Sequence, residues 1–559
     1  MVPRSRRNRS GWVLLLGAVL VLAALALQAQ RPRGELAQVA PVTGSDQEIA
    51  WVQTATATGP WERLIAGVRY TCQAYPELRL HYDDSAAFSD SLRALPELVI
   101  RRDGYVGALR VRWYKLTSDL GNDDWVAALA RRKVPPLAII GGATTDRAID
   151  LARSLRQQAG RWPGHDPLLF ITTATTDTFQ APGLAEMAEQ RQALMAIYPG
   201  RSFRFCFTNM QMAQAVLDFV WSRPELRPHS AWSAWQVACL STAPLLAAAL
   251  PPLHPASSFG MYWNDDDYSE NLNECFRQLL TQTAENVAGP SPGPKSWLYQ
   301  PIQPVVNLRI PHSIGGFNQP NTHERQAVVQ LLAHLRPRPG DRSLLILPAS
   351  TNQTRRVLRT LLNAAPFIGQ HLVVVTGDSI SLNTLYRDAD LLWDVRSLPI
   401  PLVGFAHHNP AAWTSPDERT STEEVLLNVD LFRTLAESAF VGGQLLAQAD
   451  DLRDRLGYPP ADAREQSLAK GKASPVRFDR SGNRDPTCGG QFIIYLRPNV
   501  VRLGPHLRHL HHPRIEIHQR NGKGWELIRL LPLDGDAAAM PRRGHAQDQP
   551  EPATAEVMP

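Results

Sequence analysis

The stretch Val134-Pro-Pro-Leu-Ala-Ile-Ile-Gly-Gly-Ala-Thr-Thr-Asp-Arg147 decides the fold class. Residues 137–140 form a short apolar run, β-branched at its end, which reads as a buried strand. Gly141 and Gly142 break it and allow a close backbone approach. Thr144, Thr145 and Asp146 then supply N-cap chemistry for a helix running to about residue 158. Strand, small-residue turn and helix start leave free N–H groups and a positive dipole end at the strand's carboxyl edge. A carboxylate or phosphate suits such a place. The pattern returns at Leu168-Leu-Phe-Ile-Thr-Thr-Ala-Thr-Thr-Asp177. Two successive βα units with Thr-rich mouths point to one ligand cleft fed by neighbouring strands.

Outward from this stretch the alternation continues. Before it come a strand at Glu48-Ile-Ala-Trp-Val-Gln53, a helix over 60–72, strands at 78–84 and 107–114, and a helix over 122–131. After it, 198–207 reads as a strand or extended crossover, and Thr208 or Asn209 starts a helix to 221. Residues 224–257, rich in Pro, Ala, Trp and Ser, read as an insertion holding one apolar helix. A second block opens with the strand and acidic turn Phe259-Gly-Met-Tyr-Trp-Asn-Asp-Asp-Asp-Tyr-Ser269, with a helix to about 283 and a loose excursion over 284–303. Strands at 342–350, 372–378, 391–395 and 401–407 and helices near 358–362 and over 421–437 complete it. The fold class is therefore α/β: two doubly wound parallel-sheet lobes, 48–223 and 258–445, joined by a hinge. Residues 446–475 read as a mobile loop, and 476–534 as closing β-hairpins and a crossover, with Asn521-Gly522 as turn chemistry. Residues 535–559 are polar and read as a disordered tail.

A chain of 559 residues has room for two or three domains. Its 45 prolines fit many loops and capped elements. A net charge of +5, clustered at the ends and without an aromatic-interleaved basic stripe, argues against nucleic-acid binding. Five widely spaced cysteines with no CxxC pair fit buried thiols and allow at most two disulfides. In residues 1–33, Arg4, Arg6, Arg7 and Arg9 precede the apolar run 12–27. This is a signal peptide or an uncleaved transmembrane anchor. Residues 34–47 are then a linker, and both options put the folded part of the chain outside the cytoplasm. No Cys comes after the run, which excludes a lipoprotein.

This order of elements resembles the type I periplasmic-binding-protein fold, and within it the leucine/isoleucine/valine-binding branch of solute-binding proteins and receptor ligand-binding domains. The stretches that carry the resemblance are 139–146, 170–177, Tyr198-Pro-Gly-Arg-Ser-Phe-Arg-Phe-Cys-Phe-Thr-Asn209, 262–269, 478–484, 489–495 and 522–528. It implies two lobes closing on a small ligand. It implies that Ala143 and Thr144 touch a ligand carboxylate, that Ala174, Thr175 and Thr176 receive its amine or polar head, and that Tyr268 faces the cleft from the second lobe. Asp378 in Thr-Gly-Asp is the candidate acidic partner of a ligand amine. The chain departs from the family pattern at the 224–257 insertion and at Ser269, where a Gly is usual.

Other chemistries find less support. GxGxxG and GxxxxGK[ST] spacings are absent, which argues against dinucleotide and P-loop binding. Asp265-Asp266-Asp267 lacks EF-hand spacing and reads as a solvated turn. His506, His509, His511 and His512 lack a Cys or carboxylate companion for a metal. His407 and His408 either line the cleft or cap a strand. Without GxSxG, HExxH or persuasively paired acids, no enzyme and no cofactor are expected. The function expected is an extracytoplasmic, membrane-tethered or secreted solute-binding or sensor protein. Its partners would be a small polar, amino-acid-like ligand, the membrane through the N-terminal segment, and an ABC-transporter permease or signalling protein. The alternative is a protein-interaction scaffold with a degenerate cleft.

Overall fold

Gln47–Thr54 (β1) is buried along its length except at Thr54, on both faces, as a central strand between two helix layers must be. Thr58–Ala74 (α1) crosses to Leu80–Asp83 (β2), Glu97–Arg102 (β3) and Leu109–Leu116 (β4). Asn122–Ala130 (α2), Ala138–Gly141 (β5), Thr145–Gln158 (α3) and Leu168–Ile171 (β6) come next, then the paired Thr178–Gln180 (β7) and Arg191–Ala193 (β8), and Ser202–Arg204 (β9). The computed structural model describes residues 41–531, apart from 90, 92–93, 181–190, 231–255, 289–304, 312–319, 336–340, 381–397, 411–421, 458–475, 488–489, 499, 502–509, 512–513 and 522–523. The first sheet has the order β2-β3-β4-β1-β5-β6-β9, parallel from β4 to β9, with β2 and β3 as an antiparallel edge.

The second sheet is built from Asn209–Ser222 (α4), Ser258–Trp263 (β10), Asp267–Ala288 (α5), Val306–Ile310 (β11), Thr322–Leu335 (α6), Ser343–Ile346 (β12), Thr351–Ala364 (α7), Leu372–Val375 (β13) and Leu402–Ala406 (β14). Next come Thr422–Ala439 (α8), the hairpin Phe440–Val441 (β15) and Gln444–Leu445 (β16), and Ala449–Leu456 (α9). Phe492–Arg497 (β17), the pair Val500–Val501 (β18) and Leu510–His511 (β19), Arg514–Asn521 (β20) and Gly524–Leu531 (β21) end the described chain. The sheet order is β11-β10-β12-β13-β14-β17-β20-β21, with the last three strands antiparallel. In both sheets the second parallel strand lies outside the first and the third lies on its other side. This reversal of winding places a crevice at the carboxyl ends of β1 and β5, and of β10 and β12.

The first lobe is packed around Trp51, Trp61 and Trp113, whose ring centroids lie 5.1, 5.2 and 5.7 Å apart. Two elements change lobes relative to their order in the chain. The buried face of α4, including Val216 and Phe219, packs with Val375 and Phe405 of the second sheet. Leu431, Phe432 and Leu435 of α8 pack with Trp61, Leu64 and Val68 of α1 in the first. There Gly67 is required: a Cβ would sit 2.6 Å from the Asn428 Cβ. The boundaries at 223 and 445 are therefore corrected, because the chain crosses between lobes three times. It crosses after β9, between β14 and α8, and between Arg484 and β17.

Other expectations change too. The stretch 446–475 contains α9, whose Leu452 and Leu456 are buried in the first core, so its first part is a packed helix; 458–475 lie outside the described residues. The second Thr-rich mouth leads into β7 and not into a helix. Helix α5 extends to Ala288, into the stretch read as a loose excursion. The 1–33 segment, most of the 224–257 insertion and the 535–559 tail lie outside the described residues. Among those described, no helix is long and apolar enough to cross a membrane. Cys72, Cys206 and Cys275 are free thiols.

Candidate functional site: the interlobe seam and its hinge

On the first lobe the seam begins at the end of β5. Gly142 has φ +74°, and a Cβ there would lie 2.6 Å from the Ala148 Cβ, so glycine lets α3 start tight against the strand. Thr144 is the N-cap residue, with extended φ −127° and ψ 163°, and is exposed. Its hydroxyl bonds the Asp146 carboxylate and not a helix N–H, so the helix start keeps unmet donors. The two Thr-rich mouths are tied together. Thr173 Oγ1 donates to the Ala143 carbonyl at 2.9 Å, and the hydroxyls of Thr145 and Thr176 meet at 2.6 Å. Ala174, Thr175 and Thr176 are buried. Their carbonyls are engaged: Arg204 donates to Thr175 O at 3.2 Å and Thr176 O at 3.0 Å, the Asn209 N–H to Thr175 O at 2.8 Å, and the Cys206 thiol to Ala174 O at 3.5 Å. Arg204 is fully buried, and backbone carbonyls meet its charge.

On the second lobe the acidic turn is a helix cap. Asp266 Oδ1 accepts the N–H groups of Tyr268 at 3.1 Å and Ser269 at 3.4 Å, the N-terminal donors of α5. Ser269 accepts from the Trp263 N–H at 3.1 Å and donates to the Pro348 carbonyl at 2.5 Å. The Ser269 hydroxyl thus ties β10 to the turn after β12. Ser350 and Gln353 form a capping box at the start of α7. Burial, with Asp146 facing it across the seam, raises the Asp267 carboxyl above its usual range. Among the described residues no group of His, Cys, Asp and Glu is arranged to hold a metal ion.

The lobes touch directly. Asn271 on α5 accepts the Asp177 N–H at 3.1 Å and donates to the Thr178 carbonyl at 3.1 Å, and Arg191 pairs with Glu270 at 3.0 Å. Behind these contacts the three crossings meet. The Phe207 N–H donates to His407 Nδ1 at 3.1 Å. An amide can only donate, so Nε2 carries the imidazole proton and donates to Asp378 Oδ2 at 2.8 Å. The Tyr268 hydroxyl donates to Asp378 Oδ1 at 2.9 Å. Burial lowers the His407 pKa despite the neighbouring Asp378. For Asp378 burial acts upward, but His407 and Tyr268 together hold the carboxyl below its usual range. Burial, and then Asp378, push the Tyr268 phenol well up, so it stays a donor. From the third crossing, Arg484 Nη1 donates to the Phe205 carbonyl at 2.9 Å, and its guanidinium lies 4.5 Å from the Phe207 ring centroid. It pairs with Asp430 of α8 at 2.9 Å, and His408 reaches the same oxygen at 3.1 Å. The rings of Phe207 and His407 stack at 5.7 Å.

The site residues expected from the sequence therefore fall into two groups. Ala143, Thr144, Ala174, Thr175 and Thr176 lie together at the first-lobe edge, while Tyr268 and Asp378 form a bonded pair at the second. Asp378 already accepts on both oxygens. Sequence reading did not find Arg204, Asn271, Asp430 or Arg484. A charge inside the apolar run Phe203-Arg-Phe-Cys-Phe207 was the one local signal for Arg204.

No family model matches the chain, and no curated protein matches it. Solved structures do. The leucine-, isoleucine-, valine-, threonine- and alanine-binding protein from Brucella ovis, in a closed conformation, is 9% identical over 88% of this chain and 96% of its own, with TM-score 0.48. The branched-chain amino acid transporter substrate-binding protein LivJ from Streptococcus pneumoniae, in complex with isoleucine, is 10% identical over 81% and 95%, with TM-score 0.39. A periplasmic component of an ABC-type sugar transport system from Hahella chejuensis is 12% identical over 71% and 96%, with TM-score 0.31.

Proposed function

We propose that this chain is an extracytoplasmic binding protein whose two lobes close about the hinge on a small polar ligand, an amino acid or a similar anion. The observation that carries this reading is the hydrogen-bonded line from Tyr268 at the seam, through Asp378 and His407, to Phe207 in the hinge. A group that displaces or engages Tyr268 acts on the same bonds that set the angle between the lobes. The ligand anion sits at the N-terminus of α3, with the Thr144 hydroxyl turned from Asp146 to the ligand and Tyr268 approaching from the other lobe. A ligand that contacts both edges favours the closed state by its difference in affinity for the two states. The arginine-led apolar segment supports the extracytoplasmic location, and delivery to a permease or signalling protein is the purpose of closure in this reading. No catalytic step belongs to this reading.

One observation favours a second reading, a scaffold with a degenerate cleft: both Asp378 oxygens and the carbonyls of Thr175 and Thr176 already have partners within the chain. Titration of the full chain with amino acids, organic anions and sugars separates the two. On the first reading one class binds, and Thr144→Val weakens it by ~10- to 100-fold, the loss of one hydrogen bond to a charged group, with an unchanged unfolding temperature. Unchanged affinity in the variant refutes the site.

A further inference from the structure

At the opposite, amino edge of the second sheet lies a cavity of about 330 Å³ that the interlobe reading does not use. It is framed where the chain enters β12, β13 and β14 and where β17 ends, so Arg342, Gly369, Pro399, Tyr495 and Arg497 line it. The four-residue strands β12 and β13 separate it from the seam. Gly369 is required there, since a Cβ would collide with the Pro399 carbonyl.

The chemistry of the lining is asymmetric. Proline rings, Tyr495 and Phe367, which is 68% exposed, make apolar walls. Arg342 is half-buried, and its side chain makes one hydrogen bond, to the Glu225 carbonyl, and no ion pair among the described residues. Arg497 also lines the cavity and is already paired with Glu516 at 3.2 Å. Glu225 adds a carboxylate to the lining. Among the described residues Arg342 thus keeps guanidinium donors free in a largely apolar lining, with Glu225 as the opposite charge beside it. Its planar fork matches a carboxylate. The volume is at the small end of the ~300–1,000 Å³ range of ligand pockets.

We propose that this cavity is a second binding site, distinct from the interlobe seam, for a small apolar carboxylate held by Arg342 with its hydrocarbon part against the proline and aromatic walls. The test is calorimetric titration of the full chain with phenylacetate and with its neutral counterpart phenylacetamide. Saturable binding of phenylacetate, with phenylacetamide weaker by ~10-fold or more, is expected. Arg342→Met should remove the difference between the two, while Thr144→Val, at the seam, should leave phenylacetate binding unchanged. Three results overturn the proposal: no saturable binding of phenylacetate, equal affinity for the amide, or phenylacetate binding lost in Thr144→Val. The acid and amide are compared on the unaltered chain, so the test stands even if Arg342→Met fails to fold.

Discussion

Replacing Arg484 by Met tests whether the three crossings form one braced hinge. The substitution keeps an apolar chain of similar length and removes the guanidinium. Three contacts go with it: the 2.9 Å bond to the Phe205 carbonyl, the 2.9 Å pair with Asp430, and the 4.5 Å approach to the Phe207 ring. The side chains of Arg484 and Asp430 are only 2% and 9% exposed. Asp430 then keeps its 3.1 Å contact with His408 in a site where burial opposes ionisation; His408 and Arg484 together hold its carboxyl below the usual range. Removing one member of a buried pair costs about 3–5 kcal/mol, most of it from the charge left behind. Adding Asp430→Asn removes that charge, so the double variant should recover to within ~1–2 kcal/mol of the unaltered chain. Urea unfolding monitored by tryptophan fluorescence, to which Trp51, Trp61 and Trp113 of the first lobe contribute, measures all four corners of the cycle. A loss below ~1 kcal/mol in Arg484→Met, or strictly additive single losses, refutes the brace.

Two further outcomes are expected from the same geometry. His407 has a folded pKa below its ordinary 6.5, because burial and the Phe207 N–H at Nδ1 both oppose a second proton. A depressed pKa means that its contribution is fully present above about pH 6.5 and is lost as the pH falls through the folded value. Carboxyls that burial raises, such as Glu423, pushed up to about 8, act in the opposite sense, so the expected outcome is a difference: between pH 7 and pH 5 the unaltered chain loses stability relative to His407→Gln, and identical pH profiles refute this. Gly142→Ala and Gly160→Ala share φ +74°, but only the first places a Cβ against another residue, 2.6 Å from the Ala148 Cβ. Gly160→Ala should cost ~1–2 kcal/mol from the dihedral, and Gly142→Ala a further ~1–3 kcal/mol from the clash. Equal shifts in unfolding temperature would contradict the tight start of α3.

The parts of the fold legible in the sequence were those set by neighbouring residues. The apolar run 137–140, the paired glycines and Thr144 specify β5, the turn and the start of α3 within about ten residues. Thr208 and Gln211 likewise mark the start of α4 as a capping box. Which lobe α4 and α8 join was not legible, because each carries an ordinary apolar face and its partner lies far along the chain. At the seam, sequence pointed to Thr144 and Thr176, yet the hydroxyl that meets Thr176 is that of Thr145, since the helix turn puts adjacent residues on different faces. The hinge was least visible. Phe207, His407 and Arg484 lie far apart in the chain, and a buried arginine bonded to backbone carbonyls leaves no spacing pattern to read.

Solution X-ray scattering of the full chain tests the central claim most directly. It should be recorded without ligand and with whichever class of amino acid, organic anion or sugar raises the unfolding temperature. At about 100 times its dissociation constant such a ligand stabilises by ~2.7 kcal/mol, enough to populate the bound state fully. Hinge closure predicts a smaller radius of gyration with the ligand, and in Thr144→Val the same decrease only at ~10- to 100-fold higher ligand concentration. Saturating binding with an unchanged scattering profile would contradict closure of the lobes on the ligand.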